Sequence, residues 1–361
     1  MPTGRGAQAP QAEHTSRVKH ADDDFLADVR NESWQRHHIA ELLRQMPLND
    51  FDGAFLDTAH LRFDGMTPPD WFVSFCDPVV QKLDECWKGP AQSYFERLVA
   101  DFKAGPHPYL AIGNFGALIT GWDDNEYLSP LDGGMIEHFM FVDGRLGEND
   151  WHIAAERITR LIGNDRVFIA EPFGYDLEDP AERTWILANF LLFKGKASFA
   201  AFYPGHLDAV GPLVWLPEYE LDVGRAAAAA SSLTALCTEG SGTKTCAGVY
   251  QRRYANALVV VNPAQDPRRF TLPMPSVGTT WAEVTFHGVG YVEPSGEKSS
   301  QRTVVTAVVG PTVELLPSSA LVIVPFNERA RHTRQGRFSF DDSRLASLSV
   351  LHPKRSGELI D

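Results

Sequence analysis

The stretches GAFLD (53–57) and GGMIEHF (133–139) decide the predicted fold of this chain. Each is a short apolar run of the kind that forms a buried strand in a parallel sheet, and each carries a carboxylate where the strand ends. Barrels of alternating strands and helices place their functional groups at this carboxyl end, where a strand opens into the next loop. We therefore predict that Asp57 and Glu137 lie on one rim of a parallel sheet.

The sequence around these stretches alternates strand-like runs with amphipathic helices, which is typical of βα units on a parallel sheet. Asn31 predicts a helix start after the first run, and Asp179 with Pro180 predicts another. Gly89-Pro90 is expected to break the helical segment that ends near Lys103. The strand-like runs lie at 25–28, 53–57, 109–113, 133–139, 166–171 and 197–203.

These six runs predict an α/β fold of the (β/α)8-barrel type that lacks its first two strands. Two explanations are open: the sequence begins late, or the chain is a genuine partial barrel. After the barrel, an alanine-rich helix (226–236) and seven short β runs are expected, the latter forming an antiparallel β-sandwich. The predicted organisation is a disordered N-terminus, a barrel catalytic domain, a sandwich and a disordered tail, at residues 1–24, 25–225, 226–326 and 327–361.

The composition limits the kinds of partner that the chain can have. Its formal net charge of −14 argues against nucleic acid, because phosphate binding needs a concentrated basic surface. No apolar run reaches the ~18–20 residues of a membrane span. Residues 1–24 are polar and contain no apolar segment of a secretory signal. The localisation therefore stays open between a cytoplasmic protein, as the sequence is written, and a secreted one, if the sequence begins late.

The cysteines and histidines give no sign of a metal centre. The four cysteines form two local pairs, Cys76/Cys86 and Cys237/Cys246. Disulfides of an exported protein and reduced thiols of a cytosolic one are both compatible with this spacing. No Cys/His spacing resembles a zinc site, so no zinc is expected.

Carboxylates are predicted at four strand ends, namely at Asp28, Asp57, Glu137 and Glu171. Asp57 and Glu137 have the best spacing to face each other across a sugar-sized cleft. Glycoside hydrolysis uses such a pair, one carboxyl group as acid and the other as nucleophile or base. Structural roles are the alternatives: an N-cap at Asp57, a structural contact at Asp28, and an ion pair at Glu171. The predicted substrate contacts are Asp28, Asn114, Glu171 and two aromatic side chains that can stack on sugars, Trp122 and Tyr203.

Several segments resemble one superfamily of barrels. DFDGAFLDTAH (50–60) resembles the strand-four motif of the α-galactosidase superfamily, which includes endo-polygalactosaminidase-like proteins. FLADVRN (25–31) resembles the preceding strand, and GGMIEHFMF (133–141) lies where these proteins carry the strand-six acid. The likeness covers about residues 25–325 and is closest to a hypothetical glycosyl hydrolase family listed as number fifteen. Many relatives have Asp where this chain has Glu137, which does not alter the chemistry.

The resemblance implies a glycoside hydrolase with a retaining mechanism, in which Asp57 is the nucleophile and Glu137 the acid/base. The expected partner is a carbohydrate, and no cofactor is implied. The missing first two strands would remove part of the substrate cleft. A protein of another class, one that binds carbohydrate without cleaving it, is the alternative.

Overall fold

The computed structural model describes residues 28–57, 59, 83–116, 130–163, 165–200, 213–240, 243–274, 279–292, 295–296, 302–307 and 311–326. The predicted N-terminal segment 1–24 and the predicted tail 327–361 lie outside the described residues. Most of the first predicted strand (25–28) lies outside them as well. The described helices include none that is long and apolar enough to cross a membrane.

A parallel sheet of five strands forms the first part of the described chain. The strands pair in sequence order and are β1 (Gly53–Leu56), β2 (Leu110–Asn114), β3 (Gly133–Glu137), β4 (Val167–Glu171) and β5 (Ser198–Ala200). The helices of this part are α1 (Glu32–Leu48), α2 (Leu83–Lys103), α3 (Glu148–Gly163) and α4 (Pro180–Phe193). The α/β character and the parallel pairing of these strands agree with the prediction.

Both predicted helix starts are confirmed. Asn31 is the N-cap of α1, and its side chain accepts hydrogen bonds from the backbone N–H groups of Ser33 and Trp34. Asp179 caps α4 in the same way, accepting from the N–H of Ala181 at 2.7 Å, with Pro180 as the first helical residue. A short polar side chain before the helix satisfies N–H groups that have no partner within it.

The break expected at Gly89-Pro90 is wrong, because α2 runs through both residues. A proline in a helix interior costs about 3 kcal/mol. Burying one large apolar side chain returns about 1.5–3 kcal/mol, and α2 buries a continuous stripe of them. That stripe, at helical spacing on both sides of the proline, consists of Trp87, Ala91, Tyr94, Leu98 and Phe102.

The second part of the chain is antiparallel. Its main sheet consists of β7 (Cys237–Gly240), β8 (Thr243–Arg253), β9 (Leu258–Asn262), β11 (Thr280–His287), β13 (Arg302–Ala307) and β15 (Ser319–Phe326). In this sheet the strands lie side by side in the order β13-β11-β15-β9-β8-β7. Two ribbons accompany it, one of β10 (Arg268–Thr271) with β14 (Thr312–Leu315), the other of β6 (Leu213–Trp215) with β12 (Gly290–Val292). Each of the seven predicted β runs overlaps one of these strands.

The two faces of the main antiparallel sheet pack against different elements. Strand β9 alternates between them, so that Val259 and Val261 belong to the hydrophobic core that also contains α4. Leu258 and Val260 point to the opposite face, where they pack with a second cluster that includes Phe270 of β10. The larger core therefore continues across the boundary that was predicted near residue 225.

The alanine-rich helix expected at 226–236 is largely wrong. Only α5 (Leu233–Leu236) is helical, and Ser232 caps it. The residues before it extend alongside β8: Ala226 forms a bridge with Tyr254, and the N–H of Ala227 donates to the carbonyl of Arg253 at 2.8 Å. Local alanine propensity is worth only a few tenths of a kcal/mol per residue, and backbone pairing with a buried hairpin outweighs it.

Two described cysteines are disulfide-bonded. They are Cys86 in α2 and Cys237 at the start of β7, and the described residues contain no free thiol. Their predicted partners, Cys76 and the side chain of Cys246, lie outside what the structure describes. The pairings Cys76/Cys86 and Cys237/Cys246 therefore stay predictions.

Candidate active site

Four of the predicted site residues end neighbouring parallel strands. Asn114, Glu137 and Glu171 are the last residues of β2, β3 and β4. Asp57 directly follows β1. Because the strands are parallel and adjacent, these residues share the carboxyl edge of the sheet.

The pairing register also places these side chains on one face. Glu137 and Glu171 are register partners, and partners on parallel strands point to the same side. Asn114 is level with Met135, which lies two residues before Glu137 and therefore on the same face. Leu56 is level with Gly113, so Asp57 aligns with Asn114.

This face of the sheet is the open one. Phe55 and Phe199 lie on it and are 49% and 53% exposed. On the opposite face Ala111 and Phe168 are fully buried, because the helices cover that side. The carboxylates therefore stand at the edge of an accessible apolar surface rather than in the core.

Asn114 connects the two predicted catalytic carboxylates. Its Nδ2 donates one hydrogen bond to Asp57 Oδ1 at 2.9 Å and another to Glu137 Oε2 at 2.8 Å. Its Oδ1 accepts from the N–H of Gly116 at 3.0 Å, which fixes the amide orientation. The side chain is buried, so the bridge is a fixed part of the site. Sequence reasoning identified Asn114 only as a substrate contact.

The bridge restricts the distance between the two carboxylates. An amide nitrogen has two N–H groups about 120° apart, so acceptors of both bonds lie about 5 Å from each other. From the two hydrogen-bond lengths of 2.9 and 2.8 Å, their separation has an upper limit of 5.7 Å. Asp57 Oδ1 and Glu137 Oε2 are therefore close enough to act on one bond of a bound molecule.

Glu171 adds a third carboxyl group with different surroundings. Burial raises its pKa above the ordinary value, and the negative charges of Glu137 and Asp57 raise it further. No described residue donates a hydrogen bond to its side chain. Its backbone carbonyl accepts from the N–H of Phe139 at 3.1 Å, which ties the loop after β3 to the end of β4.

The turn after Glu137 has an unusual backbone. His138 and Met140 have φ angles of 55° and 56°, in the left-handed region that few non-glycine residues adopt. The N–H of Phe141 donates to the carbonyl of His138 at 3.1 Å, closing the turn. The His138 ring lies 5.2 Å from the ring of Phe173, which follows β4.

The other predicted contacts are not shown to lie with Asp57, Asn114, Glu137 and Glu171 in the described structure. Asp28 forms an ion pair with Arg30, accepting from Nε at 2.9 Å and from Nη2 at 3.1 Å. No described hydrogen bond connects Asp28 to Asp57 or Asn114. Trp122 and Tyr203 lie outside the described residues. No group of three or more His, Cys, Asp or Glu side chains suited to a metal ion is found within the described part of the chain.

The fold and this rim of carboxylates define an α/β protein with a candidate site at the carboxyl edge of a parallel sheet. Hypothetical glycosyl hydrolase family 15 matches residues 10–258, which is more than half of the chain, and the protein belongs to that family. The predicted family is confirmed, and it is described as a family of hypothetical glycosyl hydrolases. No curated protein matches the sequence.

Solved structures of glycoside hydrolases also match the chain. A β-porphyranase of glycoside hydrolase family 86 from the human gut bacterium Bacteroides plebeius is 10% identical, with a TM-score of 0.36 over 67% of this chain and 52% of its own. A family 30 endoxylanase from Clostridium papyrosolvens C71 is 11% identical, with a TM-score of 0.35 over 84% and 72%. Trehalose-6-phosphate hydrolase from Bacillus licheniformis is 10% identical, with a TM-score of 0.38 over 84% and 70%. The chain thus spans about half the length of the porphyranase.

Proposed function

We propose that the protein is a glycoside hydrolase that cleaves O-glycosidic bonds of an oligo- or polysaccharide by a retaining mechanism. Asp57 is the nucleophile and Glu137 the acid/base. The observation that carries this assignment is the bridge from Asn114 Nδ2 to both carboxylates, at 2.9 and 2.8 Å. Retaining enzymes hold their two carboxyl groups about 5–5.5 Å apart, whereas inverting enzymes leave about 6.5–9.5 Å for a water molecule.

The reaction then proceeds in two steps. In the first, Asp57 attacks the anomeric carbon while Glu137 gives a proton to the leaving oxygen, and a covalent glycosyl-enzyme forms. In the second, Glu137 takes a proton from water, which attacks the same carbon and releases Asp57. Asn114 holds both carboxylates in position throughout, and its hydrogen bond favours the charged form that a nucleophile needs.

We further propose that the parallel sheet is part of a (β/α)8-type barrel spanning 25–225, and that the antiparallel strands form a β-sandwich domain spanning 226–326. The carboxylates at the carboxyl edge and the helices packed on the opposite face of the parallel sheet support the first assignment. The ribbon of β10 and β14, packed through Phe270 against the main antiparallel sheet, supports the second.

The substrate is proposed to be a carbohydrate that lies across this rim. Glu171 is part of the rim and is a proposed contact. Asp28, Trp122 and Tyr203 remain proposed contacts on the sequence argument alone. No metal ion or organic cofactor takes part in the proposed reaction, since two carboxyl groups and water supply all of its groups.

The test is hydrolysis of a panel of glycans by the wild type and by Asp57→Asn and Glu137→Gln. We expect both variants to lose almost all cleavage, and NMR of the first product to show the anomeric configuration of the substrate. Glu156→Gln is the matched control, because that side chain is 61% exposed on α3, away from the strand ends. Cleavage that survives both site substitutions contradicts the assignment. Binding of glycans without any cleavage would favour a carbohydrate-binding protein instead.

A further inference from the structure

We propose that Glu171 holds the proton that Glu137 delivers to the leaving oxygen, so that Glu171 is a positioning residue acting through Glu137. The inference rests on the proposed function and deepens it. It assigns distinct roles to three carboxyl groups that share one rim, where a retaining mechanism requires only two.

The backbone places Glu171 next to Glu137. The two residues are register partners at the ends of β4 and β3, so their Cα atoms are about 4.8 Å apart and their side chains leave the same face. The N–H of Phe139 donates to the carbonyl of Glu171 at 3.1 Å, which holds the two strand ends together just beyond the pair. A proton can pass between neighbouring carboxyl groups at this spacing.

Glu171 differs from the other two carboxylates in its hydrogen bonds. Asn114 uses both N–H groups of its amide, one on Asp57 and one on Glu137. A donated N–H stabilises the charged form of the carboxylate that accepts it. Glu171 accepts no such bond from a described residue. A proton shared by the three carboxyl groups of Asp57, Glu137 and Glu171 is therefore best accommodated on Glu171.

The charges that face Glu171 act in the same direction. Asp57 beyond β1 and Glu137 on β3 are both negative, and both raise the pKa of Glu171 together with its burial. Strand β5 on the other side contributes Ser198–Ala200, none of which titrates. His138 directly follows Glu137, and its ring lies against Phe173 rather than in a hydrogen bond with Glu171. No described cation pairs with the Glu171 carboxylate.

The proposed step is balanced. As the glycosidic bond breaks, the O–H bond of Glu171 breaks and its proton passes to Glu137, which gives it on to the leaving oxygen. In the second half of the reaction, water loses a proton to Glu137, and Glu137 returns one to Glu171. The cluster ends with the same number of protons as at the start, and no further reactant is consumed.

The first experiment is an NMR titration of glutamate side-chain carboxyl carbons in the full chain, with Glu171→Gln used to assign the signal. We expect Glu171 to titrate above the ordinary glutamate range, and to move toward that range in Asp57→Asn. A Glu171 signal that titrates with the exposed glutamates overturns the proposal. This measurement needs no substrate, so its answer stands even if the protein does not cleave glycans.

The second experiment compares substrates with good and poor leaving groups. General acid catalysis contributes about 10²–10⁴-fold, so Glu171→Gln should lower kcat/KM for alkyl glycosides by about 100-fold more than kcat/KM for activated aryl glycosides, whose leaving groups need no proton. The alkaline limb of the pH profile of Glu171→Gln should move to lower pH. Glu171→Asp should restore part of the lost cleavage of alkyl glycosides. Equal loss on both substrates with an unmoved limb overturns the proposal. If Asp57→Asn still cleaves both alkyl and aryl glycosides, the proposed function is wrong, whatever the result for Glu171.

Discussion

Asn114 donates to Glu137 at 2.8 Å through the same nitrogen that donates to Asp57 at 2.9 Å. This relationship places an uncharged, buried donor between two carboxylates that would otherwise repel each other. A carboxylate pair at this distance is stable as two charges only if a donor satisfies both. The amide of Asn114 is therefore central to the proposed chemistry as well as to the local structure.

Asn114→Ala is expected to reduce kcat/KM by about 100-fold, because a displacement of about 1 Å in a reacting group can cost that much. Asn114→Asp should be at least as damaging, since it replaces the donor by a third negative charge between the two. Asn256→Ala is the control, because that asparagine is exposed on a turn. Wild-type kcat/KM in both site variants, at unchanged thermal stability, would contradict the role given to the bridge.

A buried ion pair joins α4 to the segment before the antiparallel sheet. Arg183 Nε and Nη2 donate to the two carboxylate oxygens of Glu218, both at 2.6 Å, and the side chains are 2% and 1% exposed. Glu218→Gln should lower the free energy of unfolding by about 3–5 kcal/mol, because it leaves a buried guanidinium uncompensated. Urea denaturation measures the change.

The chain offers a matched control for that pair. Arg269 and Glu314 face each other across β10 and β14 at 3.9 Å, with side chains 83% and 60% exposed. Glu314→Gln should change the free energy of unfolding by no more than about 0.5 kcal/mol, as is usual for exposed pairs. Equal effects at Glu218 and Glu314 would show that burial of the first pair is unimportant.

Arg252 of β8 connects the antiparallel sheet to the carboxyl end of α4. Its Nη1 donates to the carbonyl of Leu192 at 3.2 Å and to that of Lys194 at 2.6 Å. Carbonyl groups at the carboxyl end of a helix have no hydrogen-bond partner within the helix. Arg252→Met should cost about 2–4 kcal/mol of stability, since charge-assisted hydrogen bonds are worth about 1.5–3 kcal/mol each and the carbonyls at the end of the helix lose their donor. The neighbouring Arg253→Met, at an exposed position, should leave the urea midpoint nearly unchanged.

The raised pKa of Glu171 predicts a pH-dependent stability. A carboxyl group whose pKa is higher in the folded state contributes stability below its unfolded pKa, and that contribution is lost as pH rises through the folded pKa. Relative to the wild type, Glu171→Gln should therefore gain stability at neutral pH and show no such gain under acidic conditions. Urea denaturation of both proteins across this pH range tests the sign. A constant difference between them would contradict it.

Much of the parallel part could be predicted from local sequence. Asn31 and Asp179 mark helix starts because a cap depends only on the few residues around it. The apolar runs that end at Asp57 and Glu137 indicate strands because a short, continuous apolar run is typical of a strand in a parallel sheet, although the structure leaves Phe55 exposed on the open face. The same runs predict that the carboxylates share an edge, since parallel strands end together.

The failures arose where distant residues override local preference. The alanine-rich segment extends because Ala227 pairs with Arg253, a partner 26 positions away that no local pattern identifies. Pro90 stays within α2 because the buried stripe around it outweighs the local cost. The role of Asn114 was missed for a similar reason, since the only signal available was a polar residue ending the strand between two that carry carboxylates.

The sequence by itself determined the kinds of element, the positions of the caps and the set of acidic residues at the strand ends. These follow from side-chain volume, hydrogen-bonding capacity and period, which are properties of neighbouring residues. Tertiary structure alone decided which oxygens Asn114 bridges, and that Glu171 lacks a described donor while Glu137 has one. Both depend on strand register, because a shift of one residue would turn each side chain to the opposite face of the sheet.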